Sequence, residues 1–254
     1  MRIEGRTFLV SGGGSGLGAA CARLLVSRGG NVVIADVDPD GRGLAAGLGS
    51  RAIFALTDVT DEASVAAAVA AGVEAFGGLD GAVTCAGILG TEKLLPRDGP
   101  PSSANFRRVV EVNLIGTFHV VRHAADAIRN RPPGPDGERG AIVTTGSIAA
   151  EEGQIGQAAY AASKGGVAAL TLPVARELAR HGIRIVNVAP GVFDTAMMAG
   201  VTPELRRSLS EQIPFPPRFG EPDEYAALVE HVIENPMLNG STIRLDGGMR
   251  MRGT

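Results

Sequence analysis

Apolar positions along the chain fall into two alternating patterns. Seven short runs are β-branched or continuously apolar: Thr7–Val10, Asn31–Ala35, Ala52–Leu56, Gly81–Thr84, Ala141–Thr145, Arg184–Ala189 and Ser241–Leu245. Such runs predict strands buried on both faces. Between them, Ser15–Arg28, Asp61–Phe76, Ala104–Arg129, Gln157–His181 and Asp223–Asn235 carry apolar residues at helical spacing. Asp61, followed by Ser64 and Val65, predicts a helix N-cap. Strand–helix alternation of this kind builds parallel βαβ units with right-handed crossovers. The expected fold class is therefore α/β, a doubly wound, seven-stranded parallel sheet with helices on both faces.

Three segments break the rhythm. Ile88–Ser103 contains Pro96, Pro100 and Pro101, Arg131–Gly140 reads RPPGPDGERG, and Gly191–Pro222 carries Pro203, Pro214, Pro216 and Pro217. Proline fixes φ and removes a donor, so these predict loops or broken short helices. The first and third follow strands directly, at the end of the sheet where ligands sit. The second follows a helix and belongs at the opposite edge, as an external hairpin of the chain. Nothing resembles a linker, so residues 1–254 are expected to form one domain, with a substrate loop over about 191–222.

Composition narrows the class of protein. With 254 residues and 44% hydrophobic positions, the chain can bury roughly three quarters of its unfolded surface without staples. Two cysteines make no disulfide framework and suit a reducing compartment, so a cytoplasmic enzyme is expected. No apolar run approaches the ~18 residues of a membrane helix, and the N-terminal residues lack the apolar core of a signal peptide. A net charge of −3, 4% aromatics and no Trp argue against a nucleic-acid partner. The expected partner is a small-molecule substrate.

After the first predicted strand comes Ser11-Gly12-Gly13-Gly14-Ser15-Gly16-Leu17-Gly18, then a helix. Glycines at 12, 16 and 18 let the backbone approach a pyrophosphate, and the helix start at Ser15 and Leu17 offers it free N–H groups. Asp36 lies 18 residues beyond Gly18, at the end of the next strand. Strand, glycines, helix and acid in this order form a dinucleotide site. A carboxylate there accepts both ribose hydroxyls but opposes a 2′-phosphate, so the expected cofactor is NAD rather than NADP. Asp58 and Val59 follow the third strand. Asp58 can accept from the adenine amine or cap the next helix, and both readings stand open.

Tyr160 and Lys164 are four residues apart on a helical segment, and project from one face. There are only two tyrosines, and Lys93 and Lys164 are the only lysines among 24 basic residues. A free phenol is a poor base near neutral pH, and a neighbouring ammonium is expected to lower its pKa. Such a phenol can exchange a proton with an alcohol or carbonyl oxygen while hydride moves. Ser147, thirteen residues before Tyr160, ends the fifth strand and can hold that oxygen. Asn113 can bond a water leading to Lys164, or be an internally satisfied core amide.

Gly12, Gly16, Gly18, Tyr160, Lys164, Ser147 and Asn113 together resemble the pattern of the short-chain dehydrogenase/reductase family. The resemblance implies a Rossmann-type domain. It puts Pro190-Gly191 after the sixth strand, the Val192 backbone at the nicotinamide amide, and Thr195 on its carboxamide. Cys85-Ala86-Gly87 stands where the family usually has Asn-Ala-Gly, and Ser11 where threonine is usual. The stretches Glu152–Tyr160, Thr171–Pro173, Gln212–Pro216 and Arg244–Gly247 resemble a subgroup that also carries Cys-Ala-Gly. That likeness implies an NAD-dependent homotetramer oxidising 3-hydroxyacyl-CoA, with some tolerance for steroid alcohols. A hydroxysteroid or other secondary-alcohol dehydrogenase is the alternative within the class. A non-catalytic NAD-binding scaffold is the alternative outside it, against which the intact Tyr–Lys–Ser set argues.

Other signals carry less. His119 and His123 have metal-ligand spacing but no adjacent Glu or third ligand, so no metal site is expected. Met197 and Met198 can line a substrate lid or fill core space. Arg206 and Arg207 can meet CoA phosphates or stand solvated.

Overall fold

The computed structural model describes residues 1–95, 102–198 and 200–253, with only the backbone of Met197. The chain runs β1 (Thr7–Ser11), α1 (Gly16–Ser27), β2 (Asn31–Asp36), α2 (Gly41–Leu48), β3 (Ala52–Leu56), α3 (Glu62–Phe76) and β4 (Gly81–Thr84). It continues through α4 (Ala104–Val110), a π-helical turn (Glu111–Ile115), α5 (Gly116–Ile128), β5 (Gly140–Thr145), α6 (Ala149–Glu152) and α7 (Ala158–Leu178). It closes with β6 (Ile183–Pro190), α8 (Pro203–Ser210), α9 (Pro222–Glu234) and β7 (Thr242–Leu245). The seven strands form one sheet in the order β3-β2-β1-β4-β5-β6-β7, and all their pairings are parallel. Strand order reverses between β1 and β4, which opens a crevice beyond their carboxyl ends.

The inner strands are covered on both faces, so neighbouring residues in them must be apolar, while the edge strands β3 and β7 are only half-buried. In β1, Phe8 and Val10 join Leu25 of α1 and Tyr225 of α9 on one side. Leu9 joins Val65 of α3, Val120 of α5 and Ile142 of β5 on the other. Each fully buried large side chain contributes about 1.5–3 kcal/mol. A smaller cluster of Ile148, Ile213, Phe219 and Met249 lies beside the segment after β6. Met198 packs against this cluster, while the lid expectation for Met197 and the loop expectation at Pro96, Pro100 and Pro101 lie outside the described residues. Among the described residues, no helix is long and apolar enough to cross a membrane.

The expected helix over Ala104–Arg129 is interrupted. At Glu111–Ile115 it widens to a π turn, and the Thr117 hydroxyl donates to the Asn113 carbonyl oxygen at 2.7 Å. A π turn shifts the backbone register, and a side-chain donor can take up a displaced carbonyl. Asp61 caps α3 as its position predicts, accepting from Ala63 N at 3.0 Å. The reading of Asp58 as that cap is overturned, because its Oδ1 accepts from the N–H and hydroxyl of Thr60 in a local turn. Within Gly191–Pro222, α8 forms behind its cap Thr202, with Pro203 in its first turn. Arg131–Gly140 turns tightly through Gly134 N to Glu138 O at 2.8 Å. It lies at the amino ends of the strands, where Glu138 pairs with Arg184.

Candidate active site

The glycine loop is shaped by what surrounds it. Gly12 has φ 62°, and a Cβ there would stand 2.6 Å from Ala86 N. A Cβ on Gly18 would run into the Gly12 carbonyl oxygen, so both positions exclude side chains. Ser15 precedes α1 in extended conformation without capping it, and the first turn holds no acid. The helix N–H groups and the positive dipole end are thus left to an anion. Leu17 packs against the core beneath. Gly16 has φ 50°, and a Cβ there would touch Thr195 at 3.4 Å. The segment after β6 therefore crosses above the loop. These features fit a pyrophosphate between α1 and Thr195.

The other expected cofactor contacts border the same crevice. Asp36 ends β2, where Oδ2 accepts from Gly14 N at 2.8 Å and Oδ1 from Asp38 N at 3.0 Å. Each oxygen keeps further acceptor capacity for a ribose hydroxyl. Val59 is buried, its carbonyl 3.0 Å from His119 Nδ1. Cys85, Ala86 and Gly87 follow β4, anchored by Cys85 N donating to Ser11 O at 2.8 Å. A Cβ on Gly87 would lie 3.2 Å from Asn113 Oδ1 and 3.6 Å from Lys164 Nζ. Pro190 ends β6, and the Val192 carbonyl accepts from Gly220 N at 3.0 Å.

Ser147, Tyr160 and Lys164 come together at this end of the sheet. Tyr160 and Lys164 are one turn apart in α7, with Nζ 5.8 Å from the ring centroid. Nζ is buried and donates to the Thr145 carbonyl oxygen at 2.8 Å. The Ser147 side chain is near enough to the Tyr160 phenol to act on it, and its hydroxyl accepts from Ala149 N at 3.1 Å. Asn113 spends both amide protons, on Ile88 O at 2.9 Å and Ser163 Oγ at 3.0 Å, and accepts from Ile88 N at 2.8 Å. Ser163 Oγ in turn donates to Tyr160 O at 2.7 Å. Two positioning groups escape the sequence reading: Ser163, legible as Tyr160 plus three on the helix, and Thr145, visible only as the last residue of a buried strand.

The electrostatics correct one expectation. Burial pushes the Tyr160 phenol above its ordinary pKa, and the nearby Ser147 hydroxyl works only partly against it. The anticipated lowering by Lys164 is not seen, because its ammonium turns to Thr145 and desolvation disfavours the phenolate. Burial also brings Lys164 down to about 8, with Cys85 opposing. The Cys85 thiol is itself lowered, first by the neighbouring Cys21 thiol and further by Thr145 and Lys164, against its burial.

An open cleft of about 530 Å³ adjoins the first turn of α7, between Lys93, Leu94 and Leu95 on one side and Ile155, Gln157 and Ala161 on the other. Two weaker candidates are placed elsewhere. His123 Nε2 lies 3.1 Å from Glu62, and among the described residues no three ligands gather for a metal. Arg206 is exposed but already paired, since it forks onto Asp194 at 2.5 and 3.0 Å and stacks on Phe219.

The family model described as enoyl-(acyl carrier protein) reductase matches residues 12–250. The chain is 47% identical over 253 residues to 3-hydroxyacyl-CoA dehydrogenase type-2 of Bos taurus, covering 98% of this chain and 97% of that one. The solved 3-hydroxyacyl-CoA dehydrogenase type-2 from Mycobacterium avium superposes with a TM-score of 0.95 at 42% identity over 98% of each chain. The 3-ketoacyl-(acyl-carrier-protein) reductase from Brucella melitensis, complexed with NADH, gives 0.86 at 29% identity, covering 98% of this chain and 100% of that one. With a glycine cradle and a Tyr–Lys pair in one crevice, and likeness running nearly end to end, the chain belongs to the short-chain dehydrogenase/reductase family of oxidoreductases.

Proposed function

We propose that this chain is an NAD-dependent dehydrogenase interconverting 3-hydroxyacyl-CoA and 3-ketoacyl-CoA. The chemistry is carried by one observation: the buried Lys164 ammonium lies 5.8 Å from the Tyr160 ring, one helical turn away, with the buried Ser147 hydroxyl beside the phenol. The substrate class is supported by likeness to proteins that bear that name and by the largely apolar cleft beside α7.

Bound NAD supplies the acceptor, and in reverse the donor, for the hydride at the carbinol carbon. In this proposal Gly12, Ser15, Gly16, Leu17 and Gly18 hold the pyrophosphate, and Asp36 selects ribose hydroxyls over a 2′-phosphate. Asp58 and Val59 border the adenine. Cys85, Ala86, Gly87, Pro190, Val192 and Thr195 border the nicotinamide side. Ser147 holds the substrate oxygen, and Tyr160 gives it a proton in reduction and takes one in oxidation. A phenol held protonated by burial is ready to act as the acid. Lys164, fixed by the Thr145 carbonyl, joins Tyr160 in holding the nicotinamide ribose. Asn113 keeps α7 in place through Ser163.

Residues 1–254 act in this proposal as one unit with 191–222 as substrate loop, in a cytoplasmic homotetramer. Exposed Phe106, Phe118 and Leu172 on α4, α5 and α7, and the open edge of β7, support assembly. The free thiols Cys21 and Cys85 support a reducing compartment. NADH oxidation with acetoacetyl-CoA, compared with a steroid ketone and with NADPH, tests the reading. Preference for the acyl-CoA and NADH is expected. A strong steroid preference overturns the substrate class, and NADH binding without turnover of any ketone would favour a scaffold.

A further inference from the structure

The turn Gly153–Gln157 joins α6 to α7 and walls the cleft beside the first turn of α7. It contains Gly153 and Gly156, the latter at φ 85°, so the chain itself supplies little stiffness. Its position is set from outside. On the cleft side, Glu92 N donates to Gly156 O at 2.9 Å. On the far side the C-terminal tail runs past it: Ile155 N donates to Gly253 O at 3.2 Å, and Gln154 Nε2 to Arg252 O at 3.1 Å.

Turn and tail share an ion cluster centred on Glu152, the last residue of α6. Its Oε2 accepts from Met251 N at 2.9 Å, and its Oε1 lies 3.0 Å from Arg244 Nη1. Arg250 Nε approaches the same oxygen at 3.4 Å, and Asp246 holds Arg244 at 2.8 Å. Glu151 also meets Arg244, but its side chain is 67% exposed against 19% for Glu152. Burial pushes the Glu152 carboxyl up, yet the Met251 N–H and the Arg244 guanidinium outweigh it and hold the group below its ordinary range. Strand β7, the tail and the cleft wall therefore meet at one carboxylate.

We propose that Glu152 is a positioning residue for the acyl substrate: clasped by Arg244 and the Met251 N–H, it sets the Gly153–Gln157 wall of the cleft without touching substrate or cofactor. This rests on assigning that cleft to the substrate. The glycine loop and Asp36 lie elsewhere in the crevice, so the cofactor end is independent of the clasp.

Steady-state kinetics of Glu152→Gln test the proposal. KM for acetoacetyl-CoA is expected to rise about tenfold, the order of one charge-assisted hydrogen bond lost, while KM for NADH changes by less than about twofold. Glu152→Asp, which keeps the charge, should recover part of the loss. In wild type the acyl KM should also rise as pH falls through the depressed Glu152 pKa, and in Glu152→Gln that dependence should be absent. If Glu152→Gln does not fold, Arg250→Gln, at the exposed rim of the cluster, carries the same test with a smaller rise. An unchanged acyl KM, or equal rises in both KM values, overturns the proposal. If wild type turns over only another ketone, the substrate reading fails, and the same split measured on that ketone still decides the role of Glu152.

Discussion

The ammonium of Lys164 points at the carbonyl oxygen of Thr145, 2.8 Å away, and stands 5.8 Å from the ring centre of Tyr160. The last residue of β5 therefore fixes the cation, and the phenol lies beside it. Burial lowers Lys164 from 10.5 to about 8. Below pH 8 folded and unfolded chains both carry this proton, and the burial cost is felt in full. Between about 8 and 10.5 the unfolded chain binds the proton and the folded chain does not, so this group makes stability rise with pH. The rise is on the order of 3 kcal/mol. Urea midpoints of wild type and Lys164→Met, followed across that window, should show wild type gaining on the variant. Parallel profiles would count against a depressed lysine.

Asn113 joins the π turn to the segment after β4 and to α7. Asn113→Ala leaves the Ile88 N–H and carbonyl without their partner. Each buried group left unpaired costs about 1–3 kcal/mol. Chemical denaturation should show a loss of that order. A change under about 0.5 kcal/mol, typical of surface sites, would mean that the clasp is not formed.

Gly18 abuts the Gly12 carbonyl so closely that a methyl group has no room. Gly18→Ala should displace the loop and weaken NADH binding by on the order of tenfold, about 1.4 kcal/mol. NADH fluorescence titration measures it directly. Unchanged affinity would remove the loop from the cofactor site.

Asp36→Asn keeps an acceptor for Gly14 N while removing the charge. The ratio of NADPH to NADH efficiency should therefore rise, by about tenfold or more if like-charge repulsion is several kcal/mol. A ratio that stays put would show that the carboxylate does not face the 2′ position.

The inner strands were legible because both their faces are buried, so Phe8, Leu9 and Val10 read as one unbroken run, whereas the edge strands β3 and β7 are only half-buried, against the expectation. The crevice was legible because glycine spacing and the Tyr160–Lys164 interval are properties of the linear chain. The π turn at Glu111–Ile115 was not, since its apolar spacing looks like that of any helix. Nor was α2, whose 8 residues with three glycines are too few for their apolar spacing to stand out, although Thr202-Pro203 does announce α8. The direction of the Tyr160 shift was misread because desolvation depends on what the fold packs around the phenol. The Glu152 cluster joins residues almost a hundred positions apart, and no local pattern encodes that.

Tyr160→Phe tests the central claim most directly. The substitution removes one oxygen and keeps the ring. Single-turnover reduction of acetoacetyl-CoA by prebound NADH should fall by about 10²–10⁴-fold, the range for a positioned acid. NADH affinity, read by fluorescence in the same samples, should stay within about twofold, since the loss belongs to the reaction and not to binding. Turnover at the wild-type rate with NADH still bound would contradict Tyr160 as the proton donor.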